Sequence, residues 1–510
     1  MKQVFSSFKI LVILLIIGCT PESQPAKEVP VVKQPNVLFL IADDWSYPHA
    51  GIYGDPVVRT PTFDRIATEG ALFQNAYTAA PSCSPSRAAI LTGRFPHQLE
   101  SAGNLWSVFP KKFANWVIIL GENGYFTGKI RKGWGPGDFK AGGYTDNPAG
   151  KDFASFEEFF AQKPAGAPFS FWFGSTDPHR DYVPNTGIQT GMSLDDVIVP
   201  AFLPDLPCVR NDILDYYFEV ERFDRESGRI LKMLEEAGEL DNTIVVMTSD
   251  NGMPFPRAKA NLYEYGAHMP LAMRFPSKIA EGTVVTEFTN AVDFAPTFVE
   301  AAGLDASMFT TGSSLWPLLA GTDSKDRSRG FSERERHANV RAGDLSYPSR
   351  SVRTEQYLYI KNFMPDRWPA GDPTTHQSVG QYGDVDNSIT KYLIMAMEGK
   401  AAEANPDYFS LTFAKRQPEE LYDIKKDPFQ LHNLALDPEY RSTISSLQAD
   451  LQQWMESTGD LRATDPQTIY WDTVLYTPNY QFHDFDLAEG IDGYAIAPPF
   501  TKEEIPCLDE

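Results

Sequence analysis

The run "NVLFLIADDW" (Asn36 to Trp45) constrains the fold more than any other stretch, because it is apolar without alternation and ends on two aspartates. A strand lacking a polar face is buried on both sides, which requires a mostly parallel sheet covered by helices above and below. "FSFWFGS" (Phe169 to Ser175) and "TIVVMTSD" (Thr243 to Asp250) repeat the pattern. Helical spacing separates them in "TPTFDRIATEG", "RAAILTGR", "NWVIILGENGY" and the long segment from Asn211 to Gly238. Strands alternating with helices predict an α/β layered fold. From about residue 346 the pattern changes. "SRSVRTEQYLYIKNF" alternates like paired strands and "TISSLQADLQQWMEST" reads as one amphipathic helix, so a smaller α+β subdomain is expected over residues 346–510.

At the amino end, Lys2 and Lys9 flank "ILVILLIIG", which stops at Cys19. A bilayer span needs about 20 apolar residues, so this shorter run predicts a cleaved signal peptide over residues 1–18. "LIIGC" also resembles a bacterial lipobox, in which Cys19 is lipidated and becomes the first residue of a membrane-anchored protein. Residues 19–35 are Pro-rich and read as a tether, which leaves residues 36–345 for the main domain. The expected location is exported: periplasmic or lipid-anchored, with the cell surface open.

An apolar content of 42% excludes a disordered chain, and a formal net charge of -23 argues against nucleic acid as a partner. Of four cysteines, Cys83, Cys208 and Cys507 lie beyond Cys19, too few for a disulfide framework to organise the fold. One of them is therefore available for chemistry.

In open α/β sheets, sites gather beyond the carboxyl ends of the strands. Asp43 and Asp44 end the first strand, Asp250 and Asn251 end a later one, and "STDPHR" brings Asp177 and His179 after a third. Such oxygen donors suit a hard divalent cation, Ca²⁺ or Mg²⁺, while the lack of a His-rich cluster argues against zinc.

Cys83, Pro85 and Arg87 in "CSPSRAAILTGR" have the Cys-x-Pro-x-Arg spacing that resembles the signature of the type I sulfatases. "PNVLFLIADD", "TPTFDRIATEGALFQNAYT", "TIVVMTSDNG", "KANLYEYG" and "ELYDIKKDPFQLHNLA" follow that family's order along nearly the whole exported chain. "DPHR", "SDNGMPFP" and "YPSRSVR" are closest to its sulfamidase (N-sulfoglucosamine sulfohydrolase) branch, which includes bacterial members of polysaccharide-degrading systems. The resemblance implies an alkaline-phosphatase-like α/β fold with a large central sheet and a smaller C-terminal subdomain. It also implies that Cys83 is oxidised to Cα-formylglycine (3-oxoalanine) by a formylglycine-generating enzyme. Asp43, Asp44, Asp250, Asn251 and the modified residue 83 would hold the cation, calcium rather than magnesium. Arg87 would hold the hydrated aldehyde, Lys132 and Lys259 the sulfate, and His179 would be the general acid.

Two departures stand out. "RKGWGPG" puts Trp134 where the family has a histidine, and indole cannot accept a proton, so His97 becomes a candidate for that role. "YGAHMP" puts His268 where an arginine is usual, leaving it either on the substrate or filling a turn. His337 and Arg180 are further substrate-side candidates. The reading is a carbohydrate sulfatase acting on a sulfated polysaccharide or its oligosaccharides, of algal type such as ulvan. The alternatives are a sulfamidase on heparan-type glycans, a phosphoester hydrolase, and an inactive sugar-binding lipoprotein.

Overall fold

The computed structural model describes residue 1 and residues 33–307, 309–374, 380–399, 406–474 and 507. Residues 2–18 of the expected signal peptide, Cys19 and the tether up to residue 32 lie outside them. Contacts divide the chain into Met1–Lys33 and Gln34–Glu510, and every strand described belongs to the second.

The strands are β1 (Asn36–Ala42), β2 (Ala71–Tyr77), β3 (Ser107–Val108), β4 (Phe126–Arg131), β5 (Gly137–Asp138), β6 (Phe169–Gly174) and β7 (Thr243–Ser249). They continue with β8 (His268–Arg274), β9 (Thr283–Val285), β10 (Thr289–Asn290), β11 (Gly330–Arg334), β12 (Ser349–Arg353), β13 (Tyr357–Asn362) and β14 (Glu419–Asp423). The large sheet runs β10-β2-β8-β7-β1-β6-β4, with β9 also on β2. Its pairs are parallel except those of β8, which is antiparallel to both β2 and β7.

β1 explains why the opening run has no polar face. Leu38, Leu40 and Ala42 point into one core, built with the helix Pro207–Glu236 through Val209, Ile213, Val220 and Phe223. Val37, Phe39 and Ile41 point into the other, against the helices Trp116–Glu122 and Phe294–Ala301. With period-2 side chains and helices on both faces, every residue of the strand is buried.

The smaller sheet, β11-β12-β13-β14, is antiparallel and packs on the helix Arg441–Thr458 through Val352, Tyr359, Leu421, Leu447 and Leu451. It begins at Gly330, ahead of residue 346, and both sheets share one unit. Cys208 and Cys507 are joined in a disulfide across 299 residues, which the sequence reading did not anticipate; among the described residues Cys83 is the free thiol.

A buried ion network ties the smaller sheet to residues 460–462 and to the segment that follows the helix Cys83–Thr92. Arg350 donates to Asp460 at 2.6 Å and to Glu335 at 2.8 Å, and Arg462 donates to Glu335 at 2.7 Å. Glu333 of β11 meets the backbone N–H of His97 at 2.6 Å and its ring Nδ1. Burial works to raise the Asp460 carboxyl, but Arg350 holds it at about 2 instead of 3.8. A depressed carboxylate stabilises the fold above its unfolded pKa and loses that contribution as pH falls through the folded one. We therefore expect Asp460→Asn, which leaves Arg350 short of a partner, to cost about 3–5 kcal/mol in urea unfolding at pH 7. The difference from the parent should shrink as pH falls from 4 toward 2; a pH-independent gap would detach the effect from this carboxylate.

Candidate active site

Four adjacent parallel strands, β7-β1-β6-β4, deliver the site from their carboxyl ends. β7 leads into Asp250 and Asn251, β1 into Asp43 and Asp44, β6 into the loop of His179, and β4 into Lys132. The fifth contribution is the helix Cys83–Thr92, whose first residue is Cys83. Its amino end favours an anion through the exposed N–H groups and the helix dipole. Cys83 and Arg87 are one turn apart, so both side chains share the face turned toward the strand ends.

The charges interlock. Lys132 Nζ lies 2.7 and 2.6 Å from the two oxygens of Asp43, and Lys259 Nζ lies 2.7 Å from Asp44 Oδ2. Arg87 Nε donates to Asp250 Oδ2 at 2.7 Å, while its Nη1 donates to the carbonyls of Lys132 and Gly133, each at 3.0 Å. Cys83 Sγ is 3.6 Å from Asp43 Oδ1. Burial works to raise the Asp43 carboxyl, yet Lys132 and Arg87 hold it well below the usual carboxylate range. At Asp250 burial prevails over Arg87, with Asp43 adding to it, and the carboxyl sits at about 6. Burial likewise pushes the Cys83 thiol far up, against Lys132. An unmodified Cys83 is thus a neutral thiol and a poor nucleophile.

These residues fit a hard cation. Asp43 and Asp44 bring carboxylate oxygens together with Cys83 Sγ, Asp250 Oδ1 accepts the Asp44 N–H at 3.2 Å, and the amide oxygen of Asn251 is buried without a hydrogen-bond partner. A buried orphan acceptor beside such carboxylates is the donor chemistry of calcium or magnesium.

A cavity of about 680 Å³ opens over Asp43, Cys83, Lys132, His179, Lys259 and His337. His179 Nδ1 lies 2.6 Å from the carbonyl of Arg180 and so carries its proton there, leaving Nε2 toward Asp44 at 3.9 Å. His337 Nδ1 meets Ser82 Oγ at 2.8 Å, and burial drives its pKa down to about 3 against the pull of Asp384, so it is neutral.

Two expectations need correction, while Arg180 lies where it was expected but is already engaged. His97 does not line the cavity; it is buried against Glu333 and Trp454 and serves the ion network. His268 does not line it either; its ring is stacked between Tyr47 and Tyr77, with Nε2 on the carbonyl of Gln74 at 2.9 Å, so it fills the strand start. Arg180 borders the cavity, but Asp212 takes both its Nη groups and the carbonyl of Pro254 its Nε. It is a clamp on its own loop. Trp134 is in place but committed, its indole N–H donating to Ser84 O at 3.1 Å. Asp177 pairs with Arg222 and stays out of the cavity.

The sequence reading missed Asp386, whose Oδ2 is 3.0 Å from Lys259 Nζ, and the cavity-lining Trp106 and Arg131. All three sit in irregular segments or at a strand end, where no periodicity marks them.

The domain family described as Sulfatase matches residues 35–304, more than half the chain. The chain belongs to the sulfatase family. It is a sulfuric ester hydrolase. The domain described as N-sulphoglucosamine sulphohydrolase, C-terminal, matches residues 257–379. An ulvan-active sulfatase of Formosa agariphila is 26% identical over 88% of this chain and 81% of its own length. Human N-sulphoglucosamine sulphohydrolase is 29% identical over 83% of this chain and 90% of its own. The solved structure of BT4656 in complex with its substrate D-glucosamine-2-N,6-O-disulfate superposes with a TM-score of 0.60 at 21% identity. It covers 85% of this chain and 99% of its own, and shares the fold.

Gly174, at the end of β6, lets that strand pass the Lys132 backbone, since a Cβ there would lie 1.6 Å from Lys132 O. Gly174→Ala should therefore displace Lys132 and lower kcat/KM on the order of 10²-fold while the protein stays folded by circular dichroism. Unchanged turnover would mean that this contact does not set the lysine.

Proposed function

We propose that this enzyme removes sulfate esters from a sulfated polysaccharide or its oligosaccharides, of algal type, using a formylglycine made from Cys83 and a calcium ion. The observation that supports the reading is the meeting of Cys83 with the carboxylates of Asp43 and Asp44, each paired with a lysine, and a nearby orphan amide oxygen on Asn251. Asp43, Asp44, Asp250 and Asn251 would hold the ion, which supplies Lewis-acid charge to a sulfate oxygen when bound. Formylglycine at position 83 supplies, as its hydrate, the nucleophile toward sulfur.

The chain's own residues do the remaining work. Arg87, fixed by Asp250 and by two carbonyls, keeps the residue-83 end of the helix against the strand ends. Lys132 and Lys259 are held as ammonium ions, because Asp43, and Asp386 with Asp44, outweigh the burial that opposes charge. As compact three-donor cations they bind the sulfate oxygens. His179 keeps Nδ1–H on Arg180 O, and as general acid it must enter the step doubly protonated, so that the second proton passes from Nε2 to the departing sugar oxygen. Trp134 moves no proton. With the indole fixed on Ser84 O, the second imidazole bordering the cavity is the neutral His337.

The relatives set the substrate panel. The ulvan-active sulfatase favours an algal glycan, and the match to the N-sulphoglucosamine sulphohydrolase C-terminal domain favours a sulfamate as the second reading. Protein made with a formylglycine-generating enzyme should release sulfate from ulvan oligosaccharides. Cys83→Ala should release none, and chelation should abolish turnover until Ca²⁺ is restored. Release from N-sulfoglucosamine alone would move the assignment to sulfamidase, and phosphate release exceeding sulfate release on matched aryl esters would move it to phosphorus.

We further propose export with a lipid on Cys19. The parent protein should then partition into Triton X-114 from a bacterial host, and Cys19→Ala should appear in the aqueous phase. Equal partitioning of the two would sink the anchor.

A further inference from the structure

A fourth carboxylate stands in a cavity that otherwise suits an anion. Lys132 pairs with Asp43, Lys259 with Asp44 and Arg87 with Asp250, so three cations already match three acids. Asp386 borders the same cavity as an extra acid. Its Oδ2 lies 3.0 Å from Lys259 Nζ, and among the described residues its Oδ1 receives no hydrogen bond. The side chain keeps 17% of its surface open. Burial works to raise the Asp386 carboxyl, yet Lys259 holds it well below the usual carboxylate range. It is an ionised group that can only accept hydrogen bonds.

The segment that carries it is pinned on both sides. Asp384 accepts the Ala338 N–H at 3.0 Å and takes the guanidinium groups of Arg334 and Arg341. Lys391, fully buried in the helix Ile389–Ala396, donates to Val385 O at 2.8 Å and to Asn387 Oδ1 at 3.2 Å. Asp386 is therefore fixed in place before any substrate arrives. One oxygen of Asp44, one of Asp386 and a ring nitrogen of His179 lie within 4.8 Å of one another. The Lys259 ammonium is bonded to both of these carboxylates, so their charge is met there without a second metal ion.

We propose that Asp386 reads the sugar, its Oδ1 accepting the hydroxyl of a ring carbon next to the one that bears the sulfate. A carboxylate repels sulfate oxygens, so its productive partners in this cavity are O–H donors. His179 hands its proton to the departing sugar oxygen. A carboxylate within 4.8 Å of that imidazole is placed to meet the oxygen one carbon–carbon bond further along the ring. The substrate class selected is a sugar sulfated at a ring carbon with a free hydroxyl beside it. A second sulfate on that neighbouring carbon is rejected by charge. The inference rests on the saccharide substrate proposed above and narrows it.

Asp386→Ala and Asp386→Asn both disturb Lys259 and so slow every substrate alike, which makes the informative readout a ratio between substrates. The probes are the methyl glycoside of the sulfated ulvan sugar, its deoxy analogues at the carbons flanking the sulfate, and the corresponding vicinal disulfates. In the parent, kcat/KM for the glycoside should exceed that of one deoxy analogue at least about tenfold. Asp386→Ala should shrink this ratio to within about twofold, because the lost acceptor no longer distinguishes the two. Asp386→Asn still offers Lys259 an oxygen but has no charge, and should raise the disulfate relative to the monosulfate about tenfold. Circular dichroism confirms that each variant is folded, and the Asn ratio decides alone should the Ala variant fail to fold. Parental ratios in the folded variants, or a parent that treats every deoxy analogue like the full sugar, would overturn the proposal. Asp386 would then serve only to hold Lys259. Should the parent release no sulfate from any glycan, the functional reading fails separately. Calorimetric titration of the same glycosides then decides: a preference for the hydroxyl that Asp386→Ala removes supports the proposal, and equal or absent binding ends it.

Discussion

Everything at the active end of the sheet depends on burying like charges together. Asp43, Asp44 and Asp250 are all but excluded from solvent, as are Arg87 and Lys259. An isolated buried charge costs several kcal/mol, so no one of these residues is tolerable without its partners. The parallel sheet makes the pairing possible, because adjacent strands end at the same level and release their aspartates toward a common point. Arg87 then serves two ends at once, its Nε on Asp250 and its Nη1 on the carbonyls after β4. The site and the fold are in this sense one construction: the cations that neutralise the acids are also the groups a sulfate needs.

That construction also explains what kind of residue can stand at position 83. A thiol buried at a helix amino end, beside Asp43 and with its ionisation suppressed, has no ready nucleophilic chemistry of its own. Conversion to a hydrated aldehyde replaces a soft, neutral group with hard oxygens, which suits the surrounding carboxylates and lysines far better. The physical setting of Cys83 therefore suits the modification proposed above better than it suits a reactive thiol.

The sheet and the acid cluster were legible in the sequence because both obey short-range rules. β1, β6 and β7 appear as unbroken apolar runs, and their burial on two faces follows from that alone. Asp43, Asp44, Asp250 and Asn251 are legible as the residues directly after such strands. His97 and His268 misled because a histidine's role depends on what faces it. For His97 that is Glu333, 236 residues away, and for His268 two tyrosine rings. No local pattern reports such partners. The same holds for the disulfide between Cys208 and Cys507, and for Asp386, which reaches Lys259 from 127 residues away.

Trp134 is best understood from its surroundings instead of from what it replaces. Its indole N–H satisfies Ser84 O near the start of the Cys83 helix, and its ring packs on Phe109 at 5.2 Å. A histidine there would pack less apolar surface against Phe109. Trp134 instead exchanges a titratable group for a rigid wall that borders the cavity. Two imidazoles remain on the cavity in different settings: His179, partly exposed and oriented by a carbonyl, and His337, buried and neutral on Ser82. Of the two, His179 is the more exposed, its side chain about a third open, and His337 is buried.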